Sequence, residues 1–217
     1  MSAYNGTVQV GGPAQVRELP SLVLTKVAVG PMDNNVYLVR CRFTGEQLLI
    51  DAAAQPDVLL ELIGADGLAL IVTTHAHHDH VGALIAVQQA TGARTAAHPR
   101  DADALPLAPD LLVKDGAVLS LGAIQITALH LAGHTPGGLA LIYDDPDGHA
   151  HAFTGDSLFP GGVGRTTSPA DFTSLLNDVE RQLFSRPDET WVYPGHGADT
   201  TIGNERPQLQ EWRSRGW

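Results

Sequence analysis

The sequence predicts an α/β protein built as a sandwich of two β-sheets with helices on the outside. Two observations support this fold class. Short runs rich in β-branched and apolar residues, separated by turn-forming residues, fill two halves of the chain. Each half also contains segments with helical spacing, and helices can cover the outer apolar faces of two packed sheets. We expect one domain over residues 1–217, with its core at about 21–204.

The first half begins with three predicted strands separated by the turn sequences PMDNN and TGEQ. A continuous apolar run, ALIVTT, then predicts a strand buried on both faces, and RTAAHP predicts a short strand. The predicted strands lie at 21–29, 34–41, 47–51, 69–74 and 94–99. Helices are expected at 56–64 and at 81–92, the second ending at Gly92.

In the second half, alternating residues predict antiparallel strands at 118–131, 137–145 and 149–156, the last two joined by the turn DDPDGH. Residues 168–185 predict a helix, because Ser168 suits the N-cap and Pro169 the first helical position. The sequence WVYPG predicts a last strand, and we expect a helix at 203–213.

The composition excludes several classes of partner. The chain carries 13 Lys and Arg against 24 Asp and Glu, a net charge of −11, which argues against nucleic acid as a partner. There is no secretory signal and no apolar run long enough for a membrane span, so we expect a cytoplasmic protein acting on a small molecule. The single cysteine, Cys41, lies in a strand-like run and is expected to be buried. The sequence leaves the oligomeric state open.

One stretch is unusually dense in metal-binding side chains. The run HAHHDH at 75–80 has four histidines and one aspartate within six residues. Other candidates follow in AGHTPGG, FTGDS and YPGHG, and each stretch adjoins a predicted buried strand. Loops at strand ends can converge at one rim, where binding sites are commonly built. The candidate metal ligands are His75, His77, Asp79, His80, His134, Asp156 and His196.

The spacing within HAHHDH predicts two ligand groups. Side chains two apart in an extended segment point the same way, so His75 and His77 can reach one ion. Asp79 and His80 are expected to begin the next helix and to point at a different spot. One loop can then serve two adjacent metals. Imidazole and carboxylate ligands without thiolate suit Zn, Fe or Mn.

The remaining histidines are weaker candidates. By the same alternation, His78 points away from the site and is not expected to be a ligand. We expect His149 and His151 to be exposed beside a hairpin turn. His98 and His130 are expected to be structural, or to orient other ligands.

The order HAHHDH, GHTPGG, TGDS, PGHG resembles the metallo-β-lactamase superfamily, over residues 21 to 204. Within it, TGDSLFPGGVGRT, PGHG and TTIGNE resemble the glyoxalase II branch and its short relatives. The resemblance implies the metallo-β-lactamase fold, a four-layer αβ/βα sandwich. It also implies two divalent ions, zinc by expectation with Fe or Mn as alternatives, and a bridging hydroxide as nucleophile.

The resemblance also assigns roles to residues. It implies that Asp156 bridges the two ions and that Asp79 orients the nucleophile and handles its proton. Arg165, in GRT, is implied to line the substrate pocket, although it could equally pin its own loop. The other ligands divide into a first group, His75, His77 and His134, and a second group, Asp79, His80 and His196.

The leaving group favours a thioester substrate of the S-lactoyl type. A thiol has a pKa of about 8.5, so a thiolate can leave without a general acid, and no such acid adjoins these motifs. The chain departs from glyoxalase II in two ways. Only 21 residues follow His196, too few for the further helical domain that helps bind glutathione, and GRTT replaces GRTD.

Several other functions fit the same motifs. A persulfide dioxygenase would hold a single Fe²⁺ through His75, His134 and Asp156. A lactonase or other ester hydrolase would also need a metal hydroxide, and a closed coordination sphere would indicate a site without turnover. A true β-lactamase is less favoured because no export signal is seen, and a nuclease because the chain is acidic.

Overall fold

The computed structural model describes residues 4–216 and shows two β-sheets packed face to face. In the first sheet the spatial order follows the sequence. Its strands are β1 (Gln15–Glu18), β2 (Leu22–Val29), β3 (Asn34–Cys41), β4 (Gln47–Ile50), β5 (Leu70–Val72), β6 (Arg94–Ala97) and β7 (Leu111–Leu112). Strands β1 to β4 pair antiparallel, whereas β4 to β7 pair parallel. The carboxyl ends of β4, β5 and β6 therefore meet at one edge of the sheet.

The second half of the chain forms the second sheet and a small hairpin. Its strands are β8 (Val118–Leu121), β9 (Ile124–His130), β10 (Leu139–Asp144), β11 (Ala150–Gly155), β12 (Leu158–Phe159), β13 (Gly162–Val163), β14 (Trp191–Pro194) and β15 (Thr200–Thr201). The sheet order is β15-β14-β11-β10-β9-β8, while β12 and β13 form a separate two-stranded sheet. Strands β11 and β14 are parallel, so their carboxyl ends also meet at one edge.

Helices cover the outer face of each sheet. The first sheet carries α1 (Pro56–Ile63), α2 (His78–Val81) and α3 (Leu84–Thr91), and the second carries α4 (Pro169–Asp178), α5 (Ile202–Glu205) and α6 (Leu209–Arg215). Short 3₁₀ turns lie at Gly64–Asp66, Ala102–Ala104 and Arg206–Gln208. The four-layer αβ/βα sandwich predicted from the sequence is confirmed.

Strand alternation explains how the layers hold together. Neighbours in β3 point to opposite faces, so Val39 packs between the sheets whereas Leu38 packs under α1 and α3. On the facing sheet, Leu141 lies between the sheets while Ile142 packs against the helices that include α4. Each sheet thus has two apolar faces, and burial of both is the main stabilising contribution.

Several predicted boundaries are wrong for identifiable reasons. The strand expected at 118–131 is a hairpin, β8 and β9, because Gly122 turns the chain with φ +56°. The helix expected at 81–92 begins earlier, at His78, and is interrupted at Gly82, which lies against the carbonyl of Ala53. By contrast, the helix predicted at 168–185 is confirmed: α4 is capped by Ser168 and continues through residues 179–183 as one turn of π-helix.

Other elements were not predicted or are placed differently. Strands β1, β7, β12 and β13 have two to four residues each, too short for an alternation signal, and β15 follows the strand predicted to be last. His151 was expected to be exposed but is buried, with Nδ1 2.8 Å from the hydroxyl of Tyr193. Within residues 4–216, no helix is both long and apolar enough to cross a bilayer.

Candidate metal centre

The seven candidate ligands come together at the edge where the carboxyl ends of β5, β11 and β14 meet. They fall into three overlapping sets in which the candidate ligand atoms all lie within 4.8 Å of one another. These sets are His75, His77 and His134; His75, His80 and Asp156; and Asp79, His80 and His196. Two of them match the first and second groups expected from the sequence. The ligand roles themselves stay a prediction.

The first group is formed by two loops. His75 follows β5 and is buried, and its Nε2 lies 3.3 Å from Nε2 of His134. His77 is exposed, with its ring centroid 4.5 Å from that of His134. His134 Nδ1 donates to the carbonyl of Arg165 at 2.6 Å, which turns Nε2 toward the cluster.

The second group lies around the short helix α2. The side chain of His80 is fully buried, and its Nε2 lies 3.2 Å from Nε2 of His196. Asp79 Oδ2 lies 3.3 Å from that nitrogen of His196. His196 Nδ1 donates to the carbonyl of Met32 at 2.9 Å, so its other ring nitrogen faces the group.

Asp156 lies between the two groups. Its Oδ2 is 3.4 Å from Nε2 of His134 and 3.6 Å from Nε2 of His196, while Oδ1 is 3.4 Å from Nε2 of His80. A single carboxylate therefore reaches imidazoles of both groups, which is the arrangement a bridging ligand requires.

The donor set fits cations of zinc size. The buried Oδ1 of Asp156 makes no well-formed hydrogen bond among the described residues, because Nε2 of His80 lies 3.4 Å away, and a buried carboxylate oxygen is costly unless a positive charge compensates it, either a metal ion or a protonated His80. Zn–N bonds of about 2.0–2.1 Å in a tetrahedral site place neighbouring ligand atoms ~3.3 Å apart. The spacings of 3.3 Å for His75–His134 and 3.2 Å for His80–His196 agree with that geometry.

Protonation states at neutral pH also suit cation binding. Burial lowers the pKa of His75 well below its usual value, and burial also lowers the pKa of His134. Burial by itself would raise the pKa of Asp156, but the neighbouring His80 and other imidazoles lower it. These two histidines are thus neutral and this aspartate ionised, which are the forms that bind metals.

His80 behaves differently from the other imidazoles. Burial would lower its pKa, but Asp51 and Asp156 raise the pKa of His80 to about 10. Without a cation the ring is therefore protonated at neutral pH. A metal binding at this nitrogen has to displace the proton.

Asp51 was not among the candidate residues, yet it supports both groups. This buried residue follows β4, with φ +60°. Its Oδ2 lies 2.8 Å from Nδ1 of His80 and accepts from the hydroxyl of Thr74 at 2.7 Å. That hydroxyl lies 3.0 Å from Nδ1 of His75. One feature of the sequence could have identified Asp51. It ends QLLID, the predicted strand at 47–51, which is followed along the chain by the predicted strand that leads into HAHHDH.

Two further polar residues position the loops. The carboxylate of Asp101 accepts from the amide of Ala76 at 3.0 Å and from that of Gly137 at 2.6 Å, so it ties the HAHHDH loop to the loop of His134. Asn34 Nδ2 donates to Asp79 Oδ2 at 2.7 Å. Both residues lie far in sequence from the motifs they hold, so spacing gave no signal for them.

Glycines in the motifs allow the backbone to approach the ligands. A Cβ on Gly195, in PGHG, would overlap Asp156 Oδ1 and lie 2.7 Å from Cε1 of His80. A Cβ on Gly164 would overlap the carbonyl of Asp156. The glycine-rich character of these loops therefore follows from the packing around Asp156.

Substitution of Asp51 tests its orienting role. We expect Asp51→Asn to lower metal affinity about 10- to 100-fold, because the amide loses the charge that holds the His80 ring. Chelator competition measures the affinity. The matched control is Asp110→Asn, since Asp110 likewise accepts from a backbone amide and a hydroxyl, those of Thr95, but is exposed. Unchanged affinity in Asp51→Asn would show that the carboxylate does not orient a ligand.

The αβ/βα sandwich with histidines and aspartates at its strand ends defines a class of metalloprotein. The family model described as "Metallo-beta-lactamase superfamily" matches residues 29–196, and the chain belongs to this superfamily. This confirms the resemblance stated from the motifs and makes the protein a member of a superfamily of metallo-hydrolases.

One protein of similar sequence and two solved structures show which members of the superfamily the chain is similar to. The chain is 32% identical over 179 residues to the hydroxyacylglutathione hydrolase GloC of Haemophilus influenzae, covering 73% of this chain and 83% of that protein. It is similar to the crystal structure of TTHA1623 in a di-iron-bound form, with TM-score 0.69, 37% identity and coverage of 83% and 96%. It is also similar to ETHE1 from Myxococcus xanthus, with TM-score 0.74, 27% identity and coverage of 84% and 81%.

Proposed function

We propose that the protein is a dinuclear metal-dependent hydrolase that cleaves a thioester, in the manner of a hydroxyacylglutathione hydrolase. The observation that carries this proposal is the position of Asp156 between two complete sets of donors. The hydroxyacylglutathione hydrolase relative supports the thioester, and the di-iron relative supports two cations. We propose zinc as the metal, with iron or manganese as alternatives, because the donors are imidazoles and carboxylates.

In this proposal His75, His77 and His134 would hold the first cation. Asp79, His80 and His196 would hold the second, and Asp156 would serve as a ligand in both groups. A bound divalent cation lowers the pKa of water from 15.7 to roughly 7, so that hydroxide is available at neutral pH.

Asp79 is the residue that we assign to the proton of the attacking water. Burial would raise its pKa, but the hydrogen bond from Asn34 and the nearby His80 lower the pKa of Asp79 below its usual value. The carboxylate is therefore ionised at neutral pH. Asn34 donates to Oδ2 at 2.7 Å and so fixes the orientation in which Asp79 accepts or holds a proton.

Arg165 borders the path of the substrate in this proposal. Its side chain is exposed and lines a cavity of about 440 Å³ together with His77 and His134. Its carbonyl also accepts the hydrogen bond from His134. A thiolate leaves without a general acid, so neither Arg165 nor another residue has to protonate the leaving group.

Metal analysis beside two assays tests the function. For protein purified without added metal, we expect two metal equivalents per chain, hydrolysis of S-lactoylglutathione, and no oxygen consumption with a persulfide. Bound cations at adjacent donor sets explain both the stoichiometry and the reaction. One iron per chain with persulfide-dependent oxygen uptake would instead establish a mononuclear oxygenase, in which His75, His134 and Asp156 would hold the iron.

A further inference from the structure

Three basic side chains line cavities at or next to the metal centre, and among residues 4–216 none of them forms an ion pair with a carboxylate: Arg100, Lys114 and Arg165. Within residues 4–216, seven of the 13 Lys and Arg side chains pair with a carboxylate within 4.0 Å. Arg100 and Lys114 form no such pair with any residue in 4–216. In a chain of net charge −11, unpaired cations next to a reaction site are available to a ligand.

Arg100 and Lys114 line two neighbouring cavities, the first of which also borders the first ligand group. A cavity of about 420 Å³ is lined by His77, His134 and Arg100, among others. A second cavity of about 290 Å³ is lined by Arg100, Lys114, His98 and His130, among others. Arg100 lines both cavities, so it lies between the first ligand group on one side and Lys114 on the other.

The wall of the second cavity is built from fixed groups. The rings of His98 and His130 stack with centroids 4.0 Å apart and planes 6° apart. His98 Nδ1 accepts from the amide of Arg100 at 3.2 Å, and His130 Nε2 donates to the carbonyl of Pro136 at 2.9 Å. These bonds connect the backbone of Arg100 and the loop of His134 to one rigid pair of rings.

The acidic groups nearby are already engaged by other donors. Asp115 lines the second cavity, and its Oδ1 accepts from the amide of His130 at 2.9 Å. Asp171 lines the first cavity, and its Oδ2 accepts from the hydroxyls of Thr167 and Ser168 at 3.0 and 2.7 Å. Neither carboxylate lies within 4.0 Å of Arg100 or Lys114.

We propose that Arg100 and Lys114 form an anion subsite that binds the thiol carrier of the substrate. This inference rests on the proposed thioester hydrolysis and deepens it, because it makes the substrate a thioester whose carrier bears carboxylate or phosphate groups. A guanidinium binds either group through paired N–H donors, and Lys114 adds a point charge further along the same path. The cavity at Arg165 remains for the acyl group.

Three thioesters with different carriers test the subsite. S-lactoylglutathione carries carboxylates, lactoyl-coenzyme A carries phosphates, and S-lactoyl-N-acetylcysteamine carries no charge. We expect Arg100→Gln and Lys114→Gln each to raise KM for an anionic thioester about fivefold, and the double variant ~20-fold, with kcat little changed. KM for the uncharged thioester stays the same, and whichever anionic thioester responds identifies the carrier group.

The control is Arg94→Gln, an exposed arginine on β6 that lines neither cavity. An equal rise in KM for the uncharged thioester, or no rise for either anionic one, would overturn the subsite. Calorimetric binding of S-methylglutathione, which cannot be hydrolysed, separates this inference from the proposed function. The same titration with S-methyl-coenzyme A, a thioether that also cannot be hydrolysed, covers a carrier with phosphate groups. If no thioester is cleaved, the proposed function fails. Weaker binding of either thioether to the double variant than to the Arg94 control still supports the subsite, and equal binding of both thioethers overturns it.

Discussion

Asp156→Ala is expected to abolish thioester hydrolysis, with kcat at least about a thousandfold lower, and to reduce the content of both metals. For comparison, loss of a single stabilising donor in an acyl-transfer site costs ~10²–10³ in kcat. Asp156 Oδ2 lies 3.4 Å from His134 and Oδ1 lies 3.4 Å from His80, so its loss removes a carboxylate that is adjacent to both groups. Metal analysis and kinetics on the same preparations measure the two effects.

The conservative variant Asp156→Asn separates loss of charge from loss of packing. It retains the shape that fits against Gly195, so we expect a folded protein that still lacks metal and activity. Asp57→Asn, an exposed aspartate in the first turn of α1, is the control and should behave as wild type. Near-normal activity with two bound metals in Asp156→Ala would refute the bridging role.

His196→Ala is expected to lose one of the two metal equivalents and to lower hydrolysis about a hundredfold or more. His196 lies in the second group only, with Nε2 3.3 Å from Asp79 and 3.2 Å from His80. The first group keeps its three histidines, so one cation should stay bound. Metal stoichiometry by mass spectrometry, together with the rate of thioester cleavage, checks both expectations.

His78→Ala is the matched control for this experiment. His78 is an exposed imidazole in the same dense run, at the start of α2, and it belongs to none of the ligand sets. The variant should keep two metals and full activity. If both variants instead hold a single iron and retain persulfide-dependent oxygen uptake, the mononuclear oxygenase is favoured.

The residues at the centre could be selected from the sequence because the metal-binding types are concentrated in short motifs. Alternation within HAHHDH was enough to predict that His75 and His77 face one spot while Asp79 and His80 face another. The glycines of PGHG and GVG could be noted as part of the motifs, but their reason is the close packing on Asp156, which appears only in three dimensions.

The supporting residues could not be selected in this way. Asp51 and Asp101 are single aspartates in ordinary surroundings, and each acts on groups more than 20 residues away. Arg100 could not be selected from the sequence either. Its proposed role in the anion subsite depends on having no carboxylate within 4.0 Å among the described residues and on lining two cavities. Similarly, nothing local shows that His151 is buried against Tyr193.

The class of fold, the positions of the longer elements and the set of candidate metal donors could all be predicted from the sequence. These follow from local periodicity and from the chemistry of side chains close together in the chain. The distances among these donors, the spacing of Asp156 from imidazoles of both groups, and the carboxylates and cations that surround them became visible only in the folded chain. Those properties depend on distances between loops of different strands, and such distances are set by how the two sheets pack.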